Sequence, residues 1–364
     1  MSRRTNIISY IISMAITLGA LFGVVYVCNN RYSEELINAV LKLLVGAIVA
    51  WLINTFAHEL GHLIAGKSKG FKFSSMTVWF FNWRRVKKKI KFSLVMIGEE
   101  AGYTDMIPTS TENVYKGLKK MTLGGIIASG IFMVIGIVPF FISALPVWVF
   151  CIWSMFLPIG AYFFFTALLP SSSGGVRNDG AVLYGLKKMD DTAKVTVNLL
   201  KIQAELYNGK TPSEIDENLY FSLPQLPEDD VNFAMLLNAR YLFYLDKNDF
   251  ENAKKTTDRL NSILEYMPKD YRVIVKTDAL YNACTFDFNE DTADDLMYEL
   301  EKYLNNVNTA TTVRAKLAYI IYVKKETDDL DMFFKKGFRE ADRCQLKGIG
   351  ALERKLFENM KKDV

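Results

Sequence analysis

Asn54-Thr55-Phe56-Ala57-His58-Glu59-Leu60-Gly61-His62-Leu63-Ile64-Ala65 closes an apolar run over residues 36–65 that only Asn38 and Lys42 interrupt earlier. As a helix, those roughly 30 residues reach about 45 Å, more than the ~30 Å hydrocarbon core of a bilayer. The run therefore predicts a membrane-crossing helix, part of which extends beyond the core or bends. His58, Glu59 and His62 place three ionisable groups in that helix, where each costs ~2.5 kcal/mol or more unless it has a partner or a function. The chain has 2 histidines in all, and both are here.

Three more runs surround this one. Residues 7–27 carry no charge and follow Arg3-Arg4. A signal peptide is the competing reading, but the run exceeds the usual 7–15 apolar residues and no small-x-small cleavage pattern follows it. Residues 121–145 and 147–169 are separated by Pro146 alone and read as a tight helical hairpin. The full 364 residues are 50% hydrophobic yet 23% charged, with net charge +4, which excludes a disordered chain and a small soluble domain. Mean hydropathy is +0.10. All 5 Trp precede Ser154, and of 22 Gly only Gly209, Gly337, Gly348 and Gly350 follow Gly185. Two domains are expected, a membrane-embedded one over 1–185 and a helical one over 186–364. The 4 cysteines have no paired spacing, so neither a disulfide framework nor a thiolate zinc site is indicated.

Basic residues set the orientation. Residues 67–120 hold 12 Lys and Arg, whereas residues 29–35 hold Arg31 alone, which places the long loop in the cytoplasm. With four spans, both termini and everything after Pro170 share that side. The basic cluster, including Arg84-Arg85 and Lys87-Lys88-Lys89, fits attraction to the anionic headgroups of a lipid bilayer better than nucleic-acid binding. Within this loop the pattern alternates at residues 71–79 and again at 90–96, which predicts two strands joined near residues 82–89 as a short β-hairpin.

His58 and His62 stand at i and i+4 on one helix face, the spacing that lets two imidazoles bind one zinc ion (Zn2+), while Glu59 on the adjacent face reaches a water at the metal. That is the chemistry of peptide hydrolysis, with Glu59 as the base. A third protein ligand is missing. Asp179, in Pro170-Ser171-Ser172-Ser173-Gly174-Gly175-Val176-Arg177-Asn178-Asp179-Gly180, is the best candidate, on a flexible segment at the same membrane side. Its other role is to cap the helix that starts there. Glu99, Glu100 and Asp105 are rival ligands in a polar loop.

Taken together, the HExxH helix, the strand-rich loop, the third span with Gly124-Gly125-Ile126-Ile127-Ala128-Ser129-Gly130 and the later Asp-Gly resemble the site-2 protease family of intramembrane zinc metalloproteases over about residues 36–187. The resemblance implies His58, His62 and Asp179 as metal ligands and Glu59 as catalytic base. The sequence departs from the family at two points. Ala167 precedes Leu168-Leu169-Pro170 where the family often has Asn, and Ser129 is nearest to the third-span position where Asn is common. Amides that would hold an extended substrate backbone are absent there. A helical substrate hides its peptide bonds, so it must unwind locally. The free edge of the 71–96 hairpin is expected to take up the unwound segment as an added strand.

Beyond Gly185 the helical spacing of apolar residues predicts an all-α domain. Three stretches starting at Ala239, Asp278 and Ala315 look alike, near the period of tetratricopeptide-like repeats. A groove that docks a protein regulator or a substrate tail is one reading, and a plain bundle is the other. The expected fold is thus an α-helical polytopic membrane protein of about four spans followed by an all-α cytoplasmic domain. Its expected function is an intramembrane zinc metalloendopeptidase acting on a membrane-spanning protein or peptide. The alternative is a non-catalytic membrane scaffold with a structural or degenerate zinc site and a partner-binding helical domain. Abundant Lys, Ile and Asn point to a bacterial plasma membrane.

Overall fold

The computed structural model describes residues 3–32, 36–86, 89–96, 101–173, 175–267 and 269–364, with backbone alone at 3, 36, 269 and 270. The chain forms two compact units, one of residues 1–107 and 112–190, the other of residues 108–111 and 191–364. Among the described residues of the first unit, four segments are long and apolar enough to cross a membrane: Arg4–Arg31, Ile37–Lys67, Val114–Phe141 and Val147–Leu168. They contain α1 (Arg3–Arg31), α2 (Leu36–Lys67), α3 (Val114–Ile135), α4 (Val147–Ser154) and α5 (Phe156–Leu168).

The third helix starts seven residues before the apolar run, because Lys116, Lys119 and Lys120 extend it without a breaker. The fourth span is broken at Met155, since Pro158 has no N–H for the Ser154 carbonyl. The helix ends are tied together by polar side chains. At one end of the bundle, Arg31 donates to the carbonyls of Phe140 (3.2 Å) and Ile142 (3.1 Å), and Tyr32 to that of Leu145 (2.8 Å). At the other end, His62 meets the Met121 carbonyl and Ser9 donates to Pro170. The N-terminal end of α1, the C-terminal end of α2, the N-terminal end of α3 and the C-terminal end of α5 therefore share one face of the bundle. Between α2 and α3 the backbones touch. A Cβ on Gly61 or on Gly124 would stand 2.3 Å from the other residue's carbonyl oxygen. Small residues at a membrane-helix crossing permit this approach, and larger ones forbid it.

The loop between α2 and α3 holds a four-stranded antiparallel sheet rather than a hairpin. Its strands are β1 (Lys72–Val78), β2 (Phe81–Val86), β3 (Lys89–Leu94) and β4 (Gly102–Ile107), in the order β3-β2-β1-β4. The stretch expected to be a connection near residues 82–89 is largely strand, because Phe81 and Trp83 continue the alternation with Asn82 and Arg84. Trp79, at φ 55°, makes the tight turn with Phe80 that returns the chain onto β1. The two strands foreseen at 71–79 and 90–96 therefore do not pair with each other. Within residues 71–96 the free edge is that of β3, because β1 is paired on both sides, and β4 is the other outer strand. Thr104, Met76, Trp83 and Phe92 form one cross-strand row. This row faces α2, where Trp83 packs on Phe56 at 6.2 Å between ring centroids.

After α5, residues 172–173 and 176–177 pair as a minimal ladder (β5 and β6), and α6 (Asp179–Lys188) follows. The second unit holds α7 (Asp191–Asn208), α8 (Asn218–Phe221), α9 (Val231–Asp246), α10 (Phe250–Ser262), α11 (Lys269–Thr285), α12 (Glu290–Asn306), α13 (Ala310–Ala318), α14 (Leu330–Ala341) and α15 (Lys347–Lys362). The stretches starting at Ala239, Asp278 and Ala315 each straddle two successive helices. Arg314 sits at the centre of this unit, fully buried. It donates to Glu353 (2.9 Å) and Asp278 (2.8 Å), and lies 4.0 Å from the Tyr281 ring centroid. Burial pushes the Asp278 carboxyl up to about 6, against the pull of the guanidinium.

Two substitutions test these packing arguments. Gly124→Ala forces the α2–α3 backbones apart and should cost about 1–3 kcal/mol, read as a lowered unfolding midpoint in detergent. Arg314→Leu leaves two buried carboxyls without their cation and should destabilise the second unit by about 3–5 kcal/mol in denaturant titration.

Candidate metal centre

One turn of α2 separates His58 from His62, so both rings leave the helix on the side that packs on α3. Asp179 arrives from the first position of α6, after the last span. The three side chains converge. His58 Nε2 and His62 Nε2 are 3.1 Å apart, and Asp179 Oδ2 lies 3.3 Å from the first and 3.4 Å from the second. Among the described residues these three form the cluster able to hold a metal ion. Donors placed about 2.0–2.1 Å from a tetrahedral zinc are separated by roughly 3.3–3.4 Å, which matches this triangle.

The hydrogen bonds behind the rings decide what the triangle can accept. His62 Nδ1 lies 2.9 Å from the Met121 carbonyl, which can only accept, so Nδ1 carries the proton and Nε2 presents a lone pair. His58 Nδ1 lies 2.9 Å from Ser129 Oγ, and Ser129 is fully buried. Asp179 Oδ2 is buried and accepts no hydrogen bond. With both rings neutral and protonated at Nδ1, the three facing atoms are acceptors, which repel unless a cation sits between them. The donor set therefore fits zinc: two imidazoles oriented from behind and a carboxylate oxygen. Gly125 leaves the room, since a Cβ there would meet His62 Nε2 at 2.4 Å.

Glu59 takes a different direction. Its Oε2 accepts from Thr104 Oγ at 2.6 Å, and its Oε1 would be 2.6 Å from a Cβ on Gly102, so β4 both holds and makes space for this carboxylate. Glu59 is 5% exposed and interacts electrostatically with both imidazoles and with Asp179.

Asp179 does not cap α6. Asn178 does, accepting from the Ala181 N–H at 2.9 Å, while its own amide donates to the carbonyls of Thr166 (2.5 Å) and Leu169 (2.8 Å). Asn178 thereby fixes the turn that delivers Asp179, and leaves Asp179 Oδ2 free to face the histidines. Of the rival ligands, Asp105 stands apart from them. It follows Thr104 on β4 and so projects to the opposite face, where burial pushes its carboxyl up against the pull of the Ser74 hydroxyl and Arg84. Glu99 and Glu100, with Lys87 and Lys88 of the basic cluster, lie outside the described residues. Thr104 escapes the sequence, Asn178 and Gly125 stand in the quoted motifs without a role, and Ser129 enters only as the stand-in for an amide. A usable signal exists for one pair: Gly125 and Ser129 are four apart in α3 and so share the face that meets α2.

Removing the group behind His58 should loosen the centre. Ser129→Ala is expected to weaken zinc binding by about 10-fold or more, measured by chelator competition on the purified protein, with helicity unchanged.

No curated protein and no solved structure matches the chain. A sequence model of Peptidase family M50 matches residues 46–334, most of its length, and the match takes in His58, Glu59, His62 and Asp179. With four apolar helices long enough to span a bilayer, the chain is an integral membrane protein that belongs to Peptidase family M50, the site-2 protease family.

Proposed function

We propose that this protein is an intramembrane zinc metalloendopeptidase that hydrolyses a peptide bond in or near a transmembrane segment of a membrane protein or peptide. His58, His62 and Asp179 hold the zinc and Glu59 is the general base. The observation that carries this reading is the convergence of His58 Nε2, His62 Nε2 and Asp179 Oδ2 within 3.4 Å, with an intact carboxylate one residue away on the neighbouring helix face. A structural zinc site has no use for a base at that position. When bound, zinc supplies Lewis-acid polarisation of the scissile carbonyl and acidifies the attacking water.

The chain's own residues supply the rest. The Thr104 hydroxyl holds one oxygen of Glu59 and leaves the other to take a proton. Ser129 and the Met121 carbonyl fix the imidazole rings, so the ligands do not rearrange during turnover. His62 stands five residues, or about 7.5 Å, before the end of α2, which places cleavage close to one face of the membrane. The outer strand β4 carries Thr104, and an unwound substrate segment added beside it would pass next to Glu59. The excess of Lys and Arg in the loop supports a cytoplasmic position for this face, for both termini and for the helical second unit, and the Lys-, Ile- and Asn-rich composition supports a bacterial plasma membrane. Three look-alike helix pairs in that unit support a repeat-like surface for a regulator or a substrate tail.

Glu59→Gln tests the assignment. The variant should keep stoichiometric zinc and lose at least about 100-fold in cleavage rate, so that uncleaved membrane peptides accumulate in cells that carry it. Zinc retention with a peptide profile identical to wild type would refute the protease.

A further inference from the structure

The family match begins at residue 46, so α1 lies outside it, yet two polar side chains of α1 reach the segment that carries the third ligand. Asn6 grips the backbone of Ser172 with both ends of its amide: Nδ2 donates to the Ser172 carbonyl at 2.7 Å and Oδ1 accepts from the Ser172 N–H at 3.1 Å. The same Nδ2 lies 3.4 Å from Ser172 Oγ. One turn further along, Ser9 Oγ donates to the Pro170 carbonyl at 2.9 Å. Ser9 is 8% exposed. These contacts mesh with the Asn178 bonds from the other side. The Ser171 N–H donates to Asn178 Oδ1 at 2.9 Å, and the Asn178 N–H donates to the Ser171 carbonyl at 3.1 Å.

We infer that α1 is a clamp on the metal centre, with Asn6 and Ser9 as positioning residues that set where Asp179 stands. This rests on the reading of His58, His62 and Asp179 as the zinc ligands. The physical need is plain. Asp179 is delivered by residues 170–178, rich in Ser and Gly and including Gly175 at φ 78°. Such a segment has high conformational freedom, and fixing it costs free energy. If metal binding had to order it, affinity would fall by that amount. Asn6 and Ser9 fasten residues 170–172 and Asn178 fastens the far end, so the carboxylate is in place before the metal arrives. Polar groups in an apolar helix are costly without partners, and these two find theirs on the turn that leads to Asp179. Ser13 offers the contrast. It is 1% exposed on the same helix and donates only to the Ser9 carbonyl within α1.

The test uses the full chain in detergent. Zinc affinity is measured by chelator competition, and ligand geometry by the visible absorption of the cobalt-substituted protein. The double variant Asn6→Ala, Ser9→Ala should bind zinc at least about 10-fold more weakly and change the cobalt bands. Ser9→Thr, which keeps the hydroxyl, should match wild type, and so should Ser13→Ala. Binding by the double variant within about twofold of wild type, or an equal loss in Ser13→Ala, overturns the clamp. Should the double variant fail to fold, the Ser9→Ala and Ser9→Thr pair decides alone: weaker binding in the Ala variant supports the clamp, and equal binding overturns it. A wild-type protein that binds no zinc overturns both this inference and the proposed function, whereas zinc-binding wild type with indifferent variants sinks the clamp only.

Discussion

Two imidazole nitrogens and a carboxylate oxygen face each other within 3.4 Å, with the carboxylate oxygen itself buried. With both rings neutral and protonated at Nδ1, such an arrangement is unfavourable by itself, because three acceptor atoms face one another. Its persistence has to be enforced by the surrounding fold and relieved by a cation. The features of the first unit can be read as answers to that single demand. The rings are turned from behind by Ser129 and the Met121 carbonyl, Gly125 vacates the space they need, and the carboxylate is carried in by a capped helix start.

The demand also explains the close α2–α3 packing. Hydrogen bonds from two ring nitrogens to α3 require the helices to approach until their backbones touch, which the Gly61 and Gly124 pair allows. Any increase in spacing at that crossing would lengthen both bonds together and release both rings. Membrane helices gain little from the hydrophobic effect against one another, so close packing and interhelical hydrogen bonds do the holding. Here the same contacts that fasten the helices also aim the ligands, and stability of the bundle is coupled to geometry of the metal centre.

Much of this was legible in the sequence, and the rest was lost for identifiable reasons. The four apolar runs announced themselves by length, and the pairing of His58 with His62 follows from helical period alone. Asp179 stands out by its place after the last span and by the family resemblance, and the structure brings it to the two histidines. Ser129 and Thr104 were not legible as partners, because a hydroxyl in an apolar or strand segment carries no mark of what it will bond. Asn178 was overlooked because a capping residue and a ligand at adjacent positions present the same local pattern. The sheet was misread for a different cause. Alternation reveals that a residue lies in a strand but says nothing about which strand it pairs with, and the turn at Trp79-Phe80 lacks the Gly or Asn that marks most two-residue hairpins.

The two functional faces of α2 are served by different elements. The imidazoles point toward α3 and α6, while Glu59, about 100° around the helix, points toward β4. In the proposed reaction these two supports have opposite requirements. The ligands must stay rigid, since a shift of a few tenths of an ångström alters the metal site, and they are held by spanning helices whose ends are tied at both faces of the bundle. The base must work beside a substrate that enters and leaves, and its support is an outer strand of a sheet outside the spans. Thr104 links the two, because the bond that aims Glu59 comes from the strand nearest to where an extended substrate segment would lie. A substrate that ordered β4 would thereby also order the base. Separating the supports in this way lets the sheet adjust to a polypeptide without disturbing the metal ligands.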